Sequence, residues 1–118
     1  MELNMITETI LKINPNADFS IKDNDVNQIT WLNGTTPISV SDIQSQIPIV
    51  EFEIAMKKLR AKRNALLAET DYIVTMNLEA GTDIPADWKT YRQSLRDLTN
   101  GLTTVEQVNA VVYPTKPE

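Results

Sequence analysis

In "WKTYRQSLRDLTNG", residues 88–101, Trp88, Tyr91, Leu95 and Leu98 return at spacings of three and four, the period of an amphipathic helix. Pro85, a residue favoured in a first helical turn, or a cap at Asp87 sets its start, and Asn100-Gly101 its stop. Residues 3–13 carry the same period, with Leu3, Ile6, Ile10 and Ile13 on one face; Pro15 then forbids continuation. The period next drops to two. Phe19 and Ile21, then Ile29 and Trp31, alternate with polar residues on either side of "DND", which predicts a hairpin with one buried face. Asn33-Gly34 closes its second strand as a turn.

Ser39 or Ser41 is placed to cap a short helical turn, with Asp42 in its first turn and Pro48 at its end. A long helix is expected over residues 49–69, its stripe formed by Ile49, Phe52, Met56, Leu59 and Leu66, with Arg63 on the same line. "TDYIVTMNLEAGTDIPAD" then reads as a linker whose length demands local packing, supplied by Tyr72, Ile73, Met76 and Leu78. One more helical turn is expected near Val105–Val108, before an extended tail with two prolines. These elements predict an α+β protein. Residues 1–48 form a small helix and β-hairpin subdomain; residues 49–118 form a helical module in which the long helix and a second amphipathic helix pack as a helical hairpin.

Composition narrows the chemistry. The 118 residues contain no cysteine and no histidine. Disulfides and thiolate sites are therefore absent, and the commonest general base and commonest metal ligand are missing. Serine and cysteine triads of the usual kind cannot be built. No cofactor is implied and no enzyme activity is expected. No run approaches the ~20 apolar residues of a membrane span, and the first residues lack the charged and apolar regions of a signal peptide. The net charge of −5 argues against a general nucleic-acid binder.

Charge is unevenly spread. Residues 1–50 hold six acidic and two basic groups, while "KKLRAKR", residues 57–63, holds five positive charges in seven positions. That run is read as the solvated side of a helix, with Glu53 and Lys57 as a four-apart pair, or as a face for the acidic N-terminal half. Asp18, Asp23 and Asp25 resemble a calcium loop only loosely; the glycine and closing glutamate of an EF-hand are missing, and an Asx-rich turn accounts for them. A charge at Arg63 on an apolar stripe needs a solvent exit or a partner, for which Asp71 is the candidate. Arg92 and Arg96, one turn apart, repel mildly, so each is expected to have its own acidic partner, in this chain or another.

"KRNALLAETDY", "DWKTYRQSLRDLTNG" and "VVYPTKPE" occur in the order of a C-terminal module of tailed-bacteriophage proteins that reads R-x-x-L-L-x-x-T-D-W, W-x-x-Y-R-Q-x-L-R-D and a closing W-P-x-x-P. Over about residues 60–118 the chain resembles the phage tail assembly chaperone domain, with Tyr72 and Tyr113 where tryptophan is usual. The N-terminal half, "INPNADFSI…ITWLNGTTPIS", is similar in arrangement to the XkdW-like phage tail-region proteins. Both resemblances imply a non-enzymatic protein of the tail region. It would bind a tail or tail-fibre polypeptide in the host cytoplasm during assembly; the alternative is a structural component kept in the virion at the tail, baseplate or fibre attachment. Arg63, Trp88, Tyr91, Arg92 and Arg96 are the residues expected to meet the partner. Removing either of the last two arginines is expected to spare the fold and weaken that contact. Neither nucleic acid nor membrane is expected as a partner; self-association stays open.

Overall fold

Ile10 is fully buried on the first helix, α1 (Met5–Ile13), as the three-and-four spacing requires. The computed structural model describes residues 5–118, so Leu3, expected on the same face, lies outside the described residues. Strands β1 (Phe19–Ile21) and β2 (Ile29–Trp31) pair antiparallel, with Phe19 opposite Trp31 and Ile21 opposite Ile29. The Phe19 and Trp31 rings meet at 5.8 Å, a cross-strand aromatic pair on the more buried face.

The connecting turn needs left-handed backbone at Asp23 and Asn24, with φ of 56° and 53°, and Asp and Asn are the side-chain types that tolerate it. Asp25 anchors the turn. Its carboxylate accepts from the Asn27 backbone N–H and the Gln28 amide, each at 2.9 Å, and these bonds hold its pKa below the ordinary aspartate value. Asp18 receives the Asn33 amide. Among the described residues no group of three carboxylates is arranged to hold a metal ion.

The long helix is longer than its periodicity predicts. α2 runs from Val40 to Glu69, and Ser39 caps it by accepting the Asp42 N–H at 3.0 Å. Pro48, expected to end a short turn, lies inside α2. A proline there removes one backbone donor and crowds the carbonyl four residues back, the usual origin of a bend, and α2 is bent. The buried face of the N-terminal part of α2 also differs from the predicted one. Ile43 is fully buried, and Val50, two turns later, is buried where Ile49 had been expected; Ile49 is 47% exposed. Met56 and Leu59 are buried as predicted. Glu53 pairs with Lys12, not with Lys57.

The chain divides into two compact units, one ending at Glu53 and one from Ile54 to Glu118, with the boundary inside α2. In the second unit the expected linker is a helix, α3 (Asp71–Ala80). Gly81, with φ of 69°, ends it in a Schellman arrangement: its N–H donates to Leu78 O, and that of Thr82 to Asn77 O. α4 (Ala86–Arg96) buries Tyr91 and Leu95. It stops before Asn100-Gly101, because Asp97–Thr99 tighten into a 3-10 turn. α5 (Val105–Asn109) matches the expected final turn and begins with a capping box between Thr104 and Gln107. The result is a mixed α+β, mostly helical protein.

Candidate functional site

Arg92 organises the second unit. Its guanidinium lies where α2 ends, α3 begins and α4 passes. Nη1 donates to the Leu67 carbonyl at 2.8 Å and to the Thr70 hydroxyl at 2.7 Å; Nη2 meets the Asp71 carboxylate at 2.8 Å. Leu67 O is one of the last carbonyls of α2, at the negative end of that helix, where a cation is favoured. Asp71 stands in the first turn of α3, where the carboxylate is favoured. Thr70, fully buried between them, donates back to Leu66 O or Leu67 O while accepting from Arg92. The Arg92 side chain is only 13% exposed. A planar fork of donors suits three acceptors in one corner, which the single ammonium of lysine would not match.

The five residues expected to meet a partner therefore separate. Arg92, expected as a contact residue, is held within its own chain, and Asp71 is its acidic partner. Tyr91 is buried, with Trp88 edge-on to it at 6.0 Å and half-buried. Arg63 is half-buried and donates through Nε to Asn64 Oδ1; the Asp71 carboxylate proposed for it belongs to Arg92. Arg96 is exposed and donates to Gln93 Oε1 at 2.9 Å, with no carboxylate partner among the described residues. Helical geometry explains the split between the arginines. Four residues turn the chain about 40° past a full circle, carrying Arg96 away from the buried side that Arg92 occupies. Arg96 lies instead on a shallow outer groove with Lys89, Thr90, Gln93, Ser94 and Asp97.

The tail is held on the same unit. Lys62 Nζ sits 4.2 Å from the centre of the Tyr113 ring, and Lys116 bonds Glu69 at 2.8 Å. Residues 62 and 69 are two helical turns apart, about 10.5 Å. Three residues of extended chain, the step from Tyr113 to Lys116, span up to about 10 Å, so one extended segment can make both contacts. The Glu69 carboxylate, first through its hydrogen bond and then through its charge, raises the pKa of Lys116 above 10.5. Among the described residues no ion pair is made by "KKLRAKR"; Lys62 has an aromatic partner instead.

α3 differs from the other helices of this unit. It buries Ile73 but leaves Tyr72 58%, Met76 54% and Leu78 80% exposed. These three were expected to supply local packing. Its signals were a Thr-Asp start and a glycine stop ten residues on, which periodicity alone does not detect.

Residues 56–118 match the family described as phage tail assembly chaperone protein. The matched segment nearly coincides with the second unit, and it holds both "LLAETD", which supplies Leu67, Thr70 and Asp71, and "YRQSLRD", which supplies Arg92. The match does not extend to the N-terminal half, whose XkdW-like resemblance has no support from it. No curated protein and no solved structure matches the chain. Among the described residues no helix is long and apolar enough to cross a membrane.

Proposed function

Because the chain belongs to the phage tail assembly chaperone family, we propose that it acts without catalysis, binding a tail or tail-fibre polypeptide in the host cytoplasm until that polypeptide is incorporated. The observation that carries this reading is the coincidence of the family match with one compact unit, residues 54–118. The exposed residues there, Arg96 and Tyr72, Met76 and Leu78 of α3, together with the half-buried Trp88, are the surface available to a client; Arg92 acts behind them by fixing the α2–α3–α4 corner. A net charge of −5 favours solubility in a carrier that must expose apolar side chains.

Co-expression with each tail polypeptide of the same phage tests the proposal. One of them should become soluble and elute as a complex with this chain. Mass spectrometry of purified virions should then find the chain absent. Its stoichiometric presence would instead make it a structural part of the tail, baseplate or fibre attachment.

A further inference from the structure

The exposed face of α3 combines two features that packing within the chain leaves unused. Tyr72 and Met76 stand one turn apart and face solvent, and both residue types are favoured at protein contacts: tyrosine as a rigid anchor, methionine as an adaptable one. Along the chain around them the charge is of one sign, and the cation whose charge is felt at Tyr72, Lys116 of the tail, is already paired with Glu69. From Asp71 to Asp87 the chain has four acidic residues and no basic one. Asp71 is engaged with Arg92, and Asp87 accepts its neighbour's N–H. Glu79 and Asp83 have no partner among the described residues.

Glu79 is also misplaced for α3 alone. It sits in the last turn, at the negative end of the helix, and no basic residue is there to offset it. α1 and α4 each carry a base in that position, Lys12 and Arg96; α2 and α5 carry none, but the end of α2 receives Arg92 and Lys116 from elsewhere in the chain. A cation from outside the chain would relieve both the carboxylate and the helix end.

We propose that this face docks a helix of the client polypeptide that presents apolar residues at three-and-four spacing beside lysines or arginines. The apolar residues would pack against the ridge formed by Tyr72 and Met76, and the bases would meet Glu79 and Asp83. This rests on the client-binding reading above and names the chemistry of its client.

The test uses the full chain and two synthetic helical peptides with one leucine pattern, one filled with lysine and one with glutamate. Binding is read by fluorescence anisotropy at moderate salt, with circular dichroism confirming that each variant is folded. The lysine peptide should bind and the glutamate peptide should not. Tyr72→Ser with Met76→Ser should weaken binding tenfold or more. Glu79→Lys with Asp83→Lys should reverse the peptide preference, while Asp42→Lys with Glu51→Lys, the same charge change in the first unit, should leave the preference in place. Equal effects of the two charge reversals would overturn the proposal, reducing it to general attraction. So would binding indifferent to Tyr72 and Met76, or a concentration-dependent dimer abolished by their substitution, which would give the face to a second copy of this chain. If the wild-type chain solubilises a tail polypeptide and the Tyr72, Met76 variant does so equally well, this inference fails and the general function stands; if no tail polypeptide is solubilised, the function fails whatever the peptides do.

Discussion

α3 and α4 are neighbours of nearly equal length in one unit, and they spend their apolar residues in opposite ways. α4 turns Tyr91 and Leu95 inward and leaves a polar outer side. α3 turns one side chain, Ile73, fully inward and leaves its larger ones outside. Between these two helices the cleaner period goes with the buried face of α4, and the less regular one with the candidate contact surface of α3.

The sharpest break of this comparison is a pair of truncations. Leu95→Ala, at a fully buried site, should cost about 2–5 kcal/mol in denaturant unfolding. Met76→Ala should stay within about 0.5 kcal/mol, as at ordinary surface positions. Comparable losses at the two would erase the distinction between the helices. Gly81→Ala is expected to cost roughly 1–2 kcal/mol, because alanine must adopt the same left-handed backbone to keep α3 stopped where it is. Nothing lies within 4 Å of an added methyl, so any loss reports backbone strain and not collision.

The smallest effect concerns the tail. Lys116 has a raised pKa, so its contribution is complete below the ordinary lysine value of 10.5 and is lost as pH rises through the raised value. Carbon-13 NMR of the Lys116 side chain should show titration above 10.5, and Glu69→Gln should lower the midpoint. An unchanged midpoint in that variant would detach the tail from α2.

Much of the scaffold was legible in the residues. Alternation gave the hairpin, Asn33-Gly34 its end, Ser39 or Ser41 a helical start, of which Ser39 is the cap, and "WKTYRQSL" the inward face of α4. What was not legible was set by context. Pro48 looked like a stop because a local rule forbids it, yet thirty residues of helix carry through it. Ile49 and Val50 are adjacent and similarly apolar; the expected stripe was carried back to Ile49 from Met56 and Leu59, but residues up to Glu53 belong to the first unit, and there Ile43 and Val50 are the buried ones. Asp71 was considered as the partner of Arg63, which is nearer in sequence, but it pairs with Arg92, because sequence distance does not decide which guanidinium arrives. The roles of Arg92 and Arg96 were inseparable until the turn of about 40° between them was placed against a core.

That split is the central claim, and equilibrium urea unfolding of Arg92→Ala and Arg96→Ala tests it directly. Arg92→Ala leaves Thr70, Leu67 O and Asp71 without their charged donor and should lose about 1.5–3 kcal/mol, the range for hydrogen bonds to charged groups in a site this covered. Arg96→Ala should lose no more than about 0.5 kcal/mol. Equal losses, or a larger loss at Arg96, would contradict the assignment of Arg92 to the fold and Arg96 to the surface.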